Sequence, residues 1–280
     1  LKDSRMKILI TGSTGFVGKN LLEFYRDQQC YAFTRSENLY VTLRKFRPDV
    51  IINSAAEIYD PHKMWEPNVE MAKICLDYLV QYPRSKMIHI GSCLEYGIVA
   101  RATTEADPVN PVDMYSATKG MATIMCQGYA RNFGVDVTIA RPYSIFGRHE
   151  KPHRLYPRLW RAFNLGVPMT LFAGEHDFIY IEDFVRGIDT LVKLQEPTHG
   201  DIVNFASGIQ TSNKRVLEIF ENITGKTAPV EYNPVLAKKY ESMVWQGDVS
   251  HAQAQYGFTC NFSLEQGIEH FLQTADYSEI

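Results

Sequence analysis

Three glycines in the stretch Thr11-Gly12-Ser13-Thr14-Gly15-Phe16-Val17-Gly18, set directly after the apolar run Ile8-Leu9-Ile10, leave the start of this chain few backbone paths. The apolar run reads as a buried strand, and Leu21, Leu22 and Phe24 beyond the glycines recur at helical spacing. Between the two, Gly12 permits a tight turn, Gly15 lets a bound group approach the backbone, and Gly18 lets the helix pack closely on its own strand. Cys30-Tyr31-Ala32-Phe33 then reads as a second strand and Asp49 to Asn53 as a third. This is a βαβ unit, the beginning of a parallel sheet.

The alternation continues to about residue 147. Glu66 to Gln81 has helical periodicity through Val69, Ala72, Leu76 and Leu79; Lys86 to Ile90 is a buried-type strand; Met114 to Asn132 is a long helix; Val135 to Ala140 is a further strand. The pattern predicts an α/β fold with a doubly wound parallel sheet of the Rossmann type and a smaller mixed α/β part on the C-terminal side. The character changes at the polar, proline-bearing run Arg148 to His153. Residues 6–150 are expected to form the first unit, with about 176–208 returning to it. Phe178 to Ile181 is expected to rejoin the main sheet, followed by a helix over Glu182 to Gln195. Residues 151–175 and 209–280 are expected to form the smaller unit, its pocket lined by about Leu155 to Thr170.

Ligands of such sheets lie beyond the carboxyl ends of the strands, where Ser92, Arg141 and the glycine turn all fall. A helix opening at the third glycine directs its amides at an anion, so Gly12, Thr14, Gly15, Phe16, Val17 and Gly18 are candidate contacts of a dinucleotide pyrophosphate, with Ile90 at a neighbouring strand end. Tyr115 and Lys119 lie four apart on a helix and share a face. A phenol near pKa 10 is a poor proton donor at neutral pH, and a neighbouring ammonium brings it toward the working range. Ser92, Tyr115 and Lys119 are therefore the candidate catalytic groups of a dinucleotide-dependent oxidoreductase.

Composition narrows the alternatives. A net charge of −3 gives no electrostatic case for nucleic acid or membrane partners. The chain has no apolar run long enough to span a bilayer and no signal-peptide pattern, so a cytoplasmic location is expected. Cys30, Cys75, Cys93, Cys126 and Cys260 are odd in number and scattered, and the histidines form no metal-ligand pattern, which points to reduced thiols and no metal.

Taken together, T-G-S-T-G-F-V-G (11–18), N-S-A-A (53–56), G-S-C-L-E-Y-G (91–97), Y-S-A-T-K (115–119), R-P-Y-S-I-F-G (141–147), H-D-F-I-Y-I-E-D (176–183) and D-V-S-H-A (248–252) resemble the extended short-chain dehydrogenase/reductase family. The likeness is to its nucleotide-sugar epimerases, dehydratases and keto-reductases, and it covers nearly the whole chain. The resemblance implies that Ala55 and Ala56 line the adenosine side of the cofactor, that Asn68 orders the nicotinamide end, and that Pro142 and Tyr143 pack near the carboxamide. It places Ser144 where many relatives contact the sugar nucleotide with asparagine. Cys93 is read as a small filler on the substrate side rather than a catalytic thiol.

Two departures carry information. The dehydratase branch has Asp-Glu after the strand-end hydroxyl, where this chain has Cys93-Leu94, and elimination of water needs an acid and a base there. The resemblance therefore points away from a 4,6-dehydratase. His176 stands where relatives often place a diphosphate-binding arginine, which leaves Arg148, Lys238 or Lys239 to hold the phosphates. After the second strand, Thr34-Arg35-Ser36 presents hydroxyls and a guanidinium instead of a carboxylate, so Arg35 is expected to clasp a 2′-phosphate and NADP(H) to be favoured over NAD(H). The leading expectation is reduction of a nucleotide-activated 4-keto sugar, G-S-C-L-E-Y-G being similar to reductases of GDP-4-keto-6-deoxymannose. An epimerase working through transient C4 oxidation is the second, and a non-catalytic dinucleotide sensor the third. Surplus apolar residues on the helices 66–81 (Met71, Ile74, Cys75, Leu76) and 114–132 (Met121, Ile124, Met125, Tyr129) predict a homodimer joined through them.

Overall fold

The computed structural model describes residues 5–236 and 244–279. Its first strand, β1 (Lys7–Thr11), leads through the glycine turn into α1 (Phe16–Phe24), and then come β2 (Gln29–Ala32), α2 (Leu39–Phe46) and β3 (Val50–Asn53). A π-helical turn, Glu66–Glu70, enters α3 (Met71–Gln81), followed by β4 (Lys86–Ile90), the short 3-10 helix Cys93–Tyr96, α4 (Met114–Phe133) and β5 (Asp136–Pro142). The remaining elements are β6 (Ser144–Phe146), α5 (Leu155–Leu165), β7 (Met169–Ala173), β8 (Glu175–Tyr180), α6 (Ile181–Lys193), β9 (Ile202–Phe205), β10 (Gln210–Ser212), α7 (Asn213–Thr224), β11 (Val230–Leu236), α8 (Ser250–Tyr256) and α9 (Leu264–Thr274).

A six-stranded parallel sheet in the order β2-β1-β3-β4-β5-β9 forms the centre. Its strands are apolar on both faces, as a sheet covered on both sides requires. Ile8, Ile10, Ile52 and Ile88 pack on the side of α1 and α6, while Leu9, Ile51, Met87 and Val137 pack on the side of α2, α3 and α4. Strand order reverses between β1 and β3, so the crevice for a ligand opens at their carboxyl ends.

The Phe178–Ile181 segment departs from expectation. Its first three residues end β8, which pairs in parallel with β6 and antiparallel with β10 in a separate three-stranded sheet, and Ile181 opens α6. The place beside β5 is taken by β9, in register from Ile139↔Ile202 to Pro142↔Phe205. What returns to the central sheet is α6, lying on the α1 side, and then β9. The expected lining of a pocket by Leu155 to Thr170 also differs: Tyr156, Leu159, Trp160, Ala162 and Phe163 of α5 are core residues.

Among the described residues no helix is long and apolar enough to cross a membrane, and no group of three or more His, Cys, Asp or Glu side chains is placed to hold a metal. All five cysteines are free thiols.

Candidate active site

The glycine turn is built by close approach. Gly12 has φ +65°, and a Cβ there would stand 2.7 Å from the Ala55 nitrogen; one on Gly18 would stand 2.2 Å from the Gly12 carbonyl oxygen. Gly15 caps α1 without a side-chain hydrogen bond, leaving the first amides of the helix for an anion. Thr14 and Gly15 are exposed, whereas Phe16 and Val17 pack on the core beneath. A ladder across β1, β3 and β4 fixes the floor: Thr11 Oγ1 donates to Asn53 Oδ1 (2.7 Å), Asn53 Nδ2 lies 3.0 Å from His89 Nδ1, and the Ala55 amide donates to Thr11 Oγ1 (3.2 Å). Burial holds His89 well below the usual histidine pKa, so its ring is neutral.

Tyr115 and Lys119 are delivered by α4. Asp113 caps the helix in a reciprocal box with Ser116: the Ser116 amide donates to Asp113 Oδ1 (2.7 Å) and the Asp113 amide to Ser116 Oγ (3.1 Å). The neighbouring Ser92 hydroxyl favours the ionised form of the Tyr115 phenol, against the dominant effect of burial, which raises its pKa. Lys119 is almost wholly buried and its ammonium donates to the carbonyl of Ile90, the last residue of β4. Burial lowers it to about 8, with the Glu95 carboxylate pulling the other way. Expectation had the Lys119 charge tuning the phenol; the cation that favours the phenolate here is Arg154, ahead of α5.

Other predicted residues take different places. Asn68 is buried and uses its amide within the chain, accepting from the Glu57 amide (2.8 Å) and donating to the Glu57 carbonyl (3.0 Å) and Thr118 Oγ1 (2.9 Å). It clamps the loop after Ala55 and Ala56 onto α4. Pro142 ends β5, and the Tyr143 hydroxyl is bonded to Thr103 Oγ1, its ring packing with Cys93, Tyr96 and Ala206. Ser144 is half-buried on β6, opposite Phe178. His176, on β8 opposite Thr211, has its ring 5.4 Å from that of Phe178. Arg148 is drawn off to α1, where its guanidinium meets Glu23 (2.6 Å) and Asn20 Oδ1 (3.2 Å), and the expected phosphate contact is not available in that position. Lys238 and Lys239 lie outside the described residues. Arg35 is exposed beyond β2, while the Glu37 carboxylate close by is occupied by the Tyr31 hydroxyl, the Thr34 amide (3.1 Å) and Thr34 Oγ1 (2.9 Å).

Sequence reasoning missed three groups. Glu95 and Arg141 form an ion pair with no exposure. Asp177, also wholly buried and raised to about 6 by that burial, accepts from the amides of Ser207, Gly208 and Gly247 and from the Ser207 hydroxyl, tying β8 to the loop after β9 and to the segment before α8. Tyr59 and His153 meet hydroxyl to ring nitrogen at 2.7 Å, joining the loop after β3 to the segment before α5. The only signal for the first was opposite charge near the carboxyl ends of two strands that turn out to be neighbours, Arg141 within β5 and Glu95 beyond β4.

Comparison with known proteins agrees with this arrangement. The NAD dependent epimerase/dehydratase family profile matches residues 8–206. The low-salt glycan biosynthesis protein Agl12 of Haloferax volcanii is 26% identical, covering 94% of this chain and 96% of its own. A Bacillus subtilis protein described as an uncharacterized UDP-glucose epimerase, YtcB, is 24% identical over the same shares. Among solved structures, UDP-glucuronic acid 4-epimerase from Bacillus cereus with UDP-glucuronic acid and NAD superimposes with a TM-score of 0.85 at 22% identity, covering 96% of this chain and 98% of that one. dTDP-glucose 4,6-dehydratase from Bacillus anthracis with NAD gives 0.85 at 19%, covering 96% of each. With the profile spanning the glycine turn, Ser92, Tyr115 and Lys119, the chain belongs to the NAD-dependent epimerase/dehydratase family of enzymes, the nucleotide-sugar group of the extended short-chain dehydrogenases/reductases.

Proposed function

We propose that this enzyme reduces a nucleotide-activated 4-keto sugar, with NADP(H) as its cofactor. The observation that carries the reading is the Ser92 hydroxyl beside the Tyr115 phenol at the carboxyl end of β4, one helical turn from Lys119. The open amides at the start of α1 and the glycine turn fit a dinucleotide pyrophosphate, which Gly12 to Gly18 would hold with Ala55 and Ala56 beside it. When bound, the nicotinamide supplies the hydride that a ketone carbon needs. Ser92 steadies the ketone oxygen, Tyr115 protonates it as charge develops, and Lys119 binds the cofactor ribose, the charge that favours the phenolate coming from Arg154. Arg35 favours the 2′-phosphate because the nearby Glu37 carboxylate is engaged within its own turn.

In this reading, residues 151–175 and 209–280 form the substrate-binding part, with Cys93, Ser144 and His176 on its side of the crevice. Phosphate contact falls to Lys239 and its surroundings, since Arg148 is held by Glu23. The enzyme is a homodimer through α4 above all. Met114, Met121 and Ile124 are exposed there, whereas Met71, Cys75 and Leu76 of α3 turn inward. A cytoplasmic location fits the free thiols.

The test is incubation with dTDP-4-keto-6-deoxyglucose or GDP-4-keto-6-deoxymannose and NADPH. Stoichiometric loss of nicotinamide absorbance supports the reductase. An epimerase is the second reading, favoured by the names of the Bacillus relatives. It would interconvert UDP-glucose or UDP-glucuronic acid with their C4 epimers and consume no cofactor.

A further inference from the structure

Ser92 lies beyond the last register pair of the sheet, Ile90↔Ala140, where no ladder of backbone hydrogen bonds holds it. Its hydroxyl accepts from the Leu94 amide at 3.2 Å, one half of a capping box on the 3-10 helix whose other half is made by Glu95. The Ser92 amide donates to Glu95 Oε1 at 2.8 Å. The other oxygen of that carboxylate accepts from Arg141 Nε at 3.0 Å and lies 2.8 Å from a terminal guanidinium nitrogen, so one hydrogen bond and a close ion pair meet on a single oxygen, and both side chains have 0% exposure. A Cβ on Gly91 would stand 2.6 Å from Glu95 Oε1 and 3.2 Å from Arg141 Cγ, so the carboxylate occupies room that glycine leaves open. The guanidinium carbon lies 4.4 Å from the centre of the Tyr96 ring, whose hydroxyl donates to Asn204 Oδ1 on β9 at 2.7 Å. The Asn110 amide completes the enclosure, donating to the Glu95 carbonyl at 2.8 Å. One carboxylate thus ties together the ends of β4 and β5 and, through Tyr96, β9.

Stability does not account for this arrangement. Removing two charges from water costs several kcal/mol per ion, and apolar replacements of a buried pair are often neutral or stabilising. What a hydrogen-bonded, fully enclosed charge pair provides is fixed geometry. We propose that Glu95, braced by Arg141, is the positioning residue of this site, anchoring the main chain at Ser92 so that its hydroxyl meets the Tyr115 phenol. The inference rests on Ser92 and Tyr115 being the acid–base pair.

The experiment compares three variants of the full chain by crystal structure and by turnover of dTDP-4-keto-6-deoxyglucose with NADPH. Glu95→Leu/Arg141→Met removes both charges and the acceptor for the Ser92 amide. Glu95→Gln/Arg141→Met keeps an oxygen for that amide. Gly91→Ala displaces the carboxylate without deleting a charge, and it serves if the apolar pair fails to fold. The apolar pair and Gly91→Ala should move Ser92 Oγ out of hydrogen-bonding reach of Tyr115. They should lower kcat on the order of 10²-fold, the cost of a misplacement near 1 Å, with KM within about twofold. The glutamine pair should recover most of the loss, and none of the three should matter in a Ser92→Ala background. An unmoved Ser92, or the same factor lost in the Ser92→Ala background, overturns the proposal. A parent enzyme indifferent to Ser92→Ala refutes the acid–base assignment instead, and the crystal structures then decide the role of Glu95 alone.

Discussion

Lys119→Met should make the cofactor-free protein more stable at neutral pH while destroying its activity. Lys119 titrates near 10.5 in the unfolded chain and is lowered to about 8 in the fold, chiefly because burial disfavours its charge. At about 1.36 kcal/mol per pH unit, holding the ammonium in the fold at pH 7 costs ~3 kcal/mol. The sign follows from proton counts. Between pH 8 and 10.5 the unfolded chain holds a proton that the folded chain has released, so the stability of the parent rises through that window, and the whole penalty is present below it. Methionine has no charge to bury, but it leaves the Ile90 carbonyl without its donor, which offsets ~1 kcal/mol. The net gain is ~2 kcal/mol at pH 7, or ~4 °C in melting temperature for a chain of this size. By about pH 9.5 most of the penalty has been relieved in the parent, and the two proteins should melt together. Thermal melts of both proteins at the two pH values test this. A variant less stable at pH 7, or a gain that persists unchanged at pH 9.5, would refute the reasoning.

Three further outcomes are expected. Tyr115→Phe should lower turnover by on the order of 10² to 10⁴ with little change in melting temperature, and activity within about twofold of the parent would remove Tyr115 from its assigned role. Arg35→Ala should weaken NADPH binding by roughly 1.5–3 kcal/mol, the scale of a hydrogen bond to a charged group, and leave NADH nearly untouched; equal losses measured by calorimetry would mean that Arg35 does not contact the 2′-phosphate. Light scattering should give about twice the 32.0 kDa chain mass, and charged residues at both Ile74 and Ile124 should yield monomers; a parent that is monomeric at micromolar concentration defeats the dimer.

The parts of this fold legible in the sequence were those fixed by local constraints. Gly12 and Gly18 could be read because the clash that a Cβ would meet lies within the same turn or against the next strand's loop. The two long helices show in their periodicity, and α4, which carries Tyr115 and Lys119, also has its start marked by the Asp113 cap. What escaped depends on partners distant in sequence. Arg148 looked free for a phosphate until α1 placed Glu23 and Asn20 against it. Asn68 looked able to face a ligand, but its amide is occupied by Glu57 and Thr118. Strand β8 is apolar enough for either sheet, and periodicity cannot choose between them. Met71, Cys75 and Leu76 appeared to be surplus on α3 because a helix wedged between α2, α4 and the sheet is covered on more than one face.

The buried charges fall into a pattern that apolar clustering does not explain. Glu95, Arg141 and Lys119 are withdrawn from water, and all three meet around the last residues of β4, where Ser92 and Tyr115 also meet. The apolar clusters on the two faces of the sheet hold the fold without them. Lys119, and Glu95 with Arg141 taken as a pair, lower stability relative to apolar residues of similar volume. Apolar replacement of Lys119, and of Glu95 and Arg141 together, should therefore raise the melting temperature while turnover falls, whereas replacing Glu95 or Arg141 alone should lower it by leaving its partner's charge buried and unpaired.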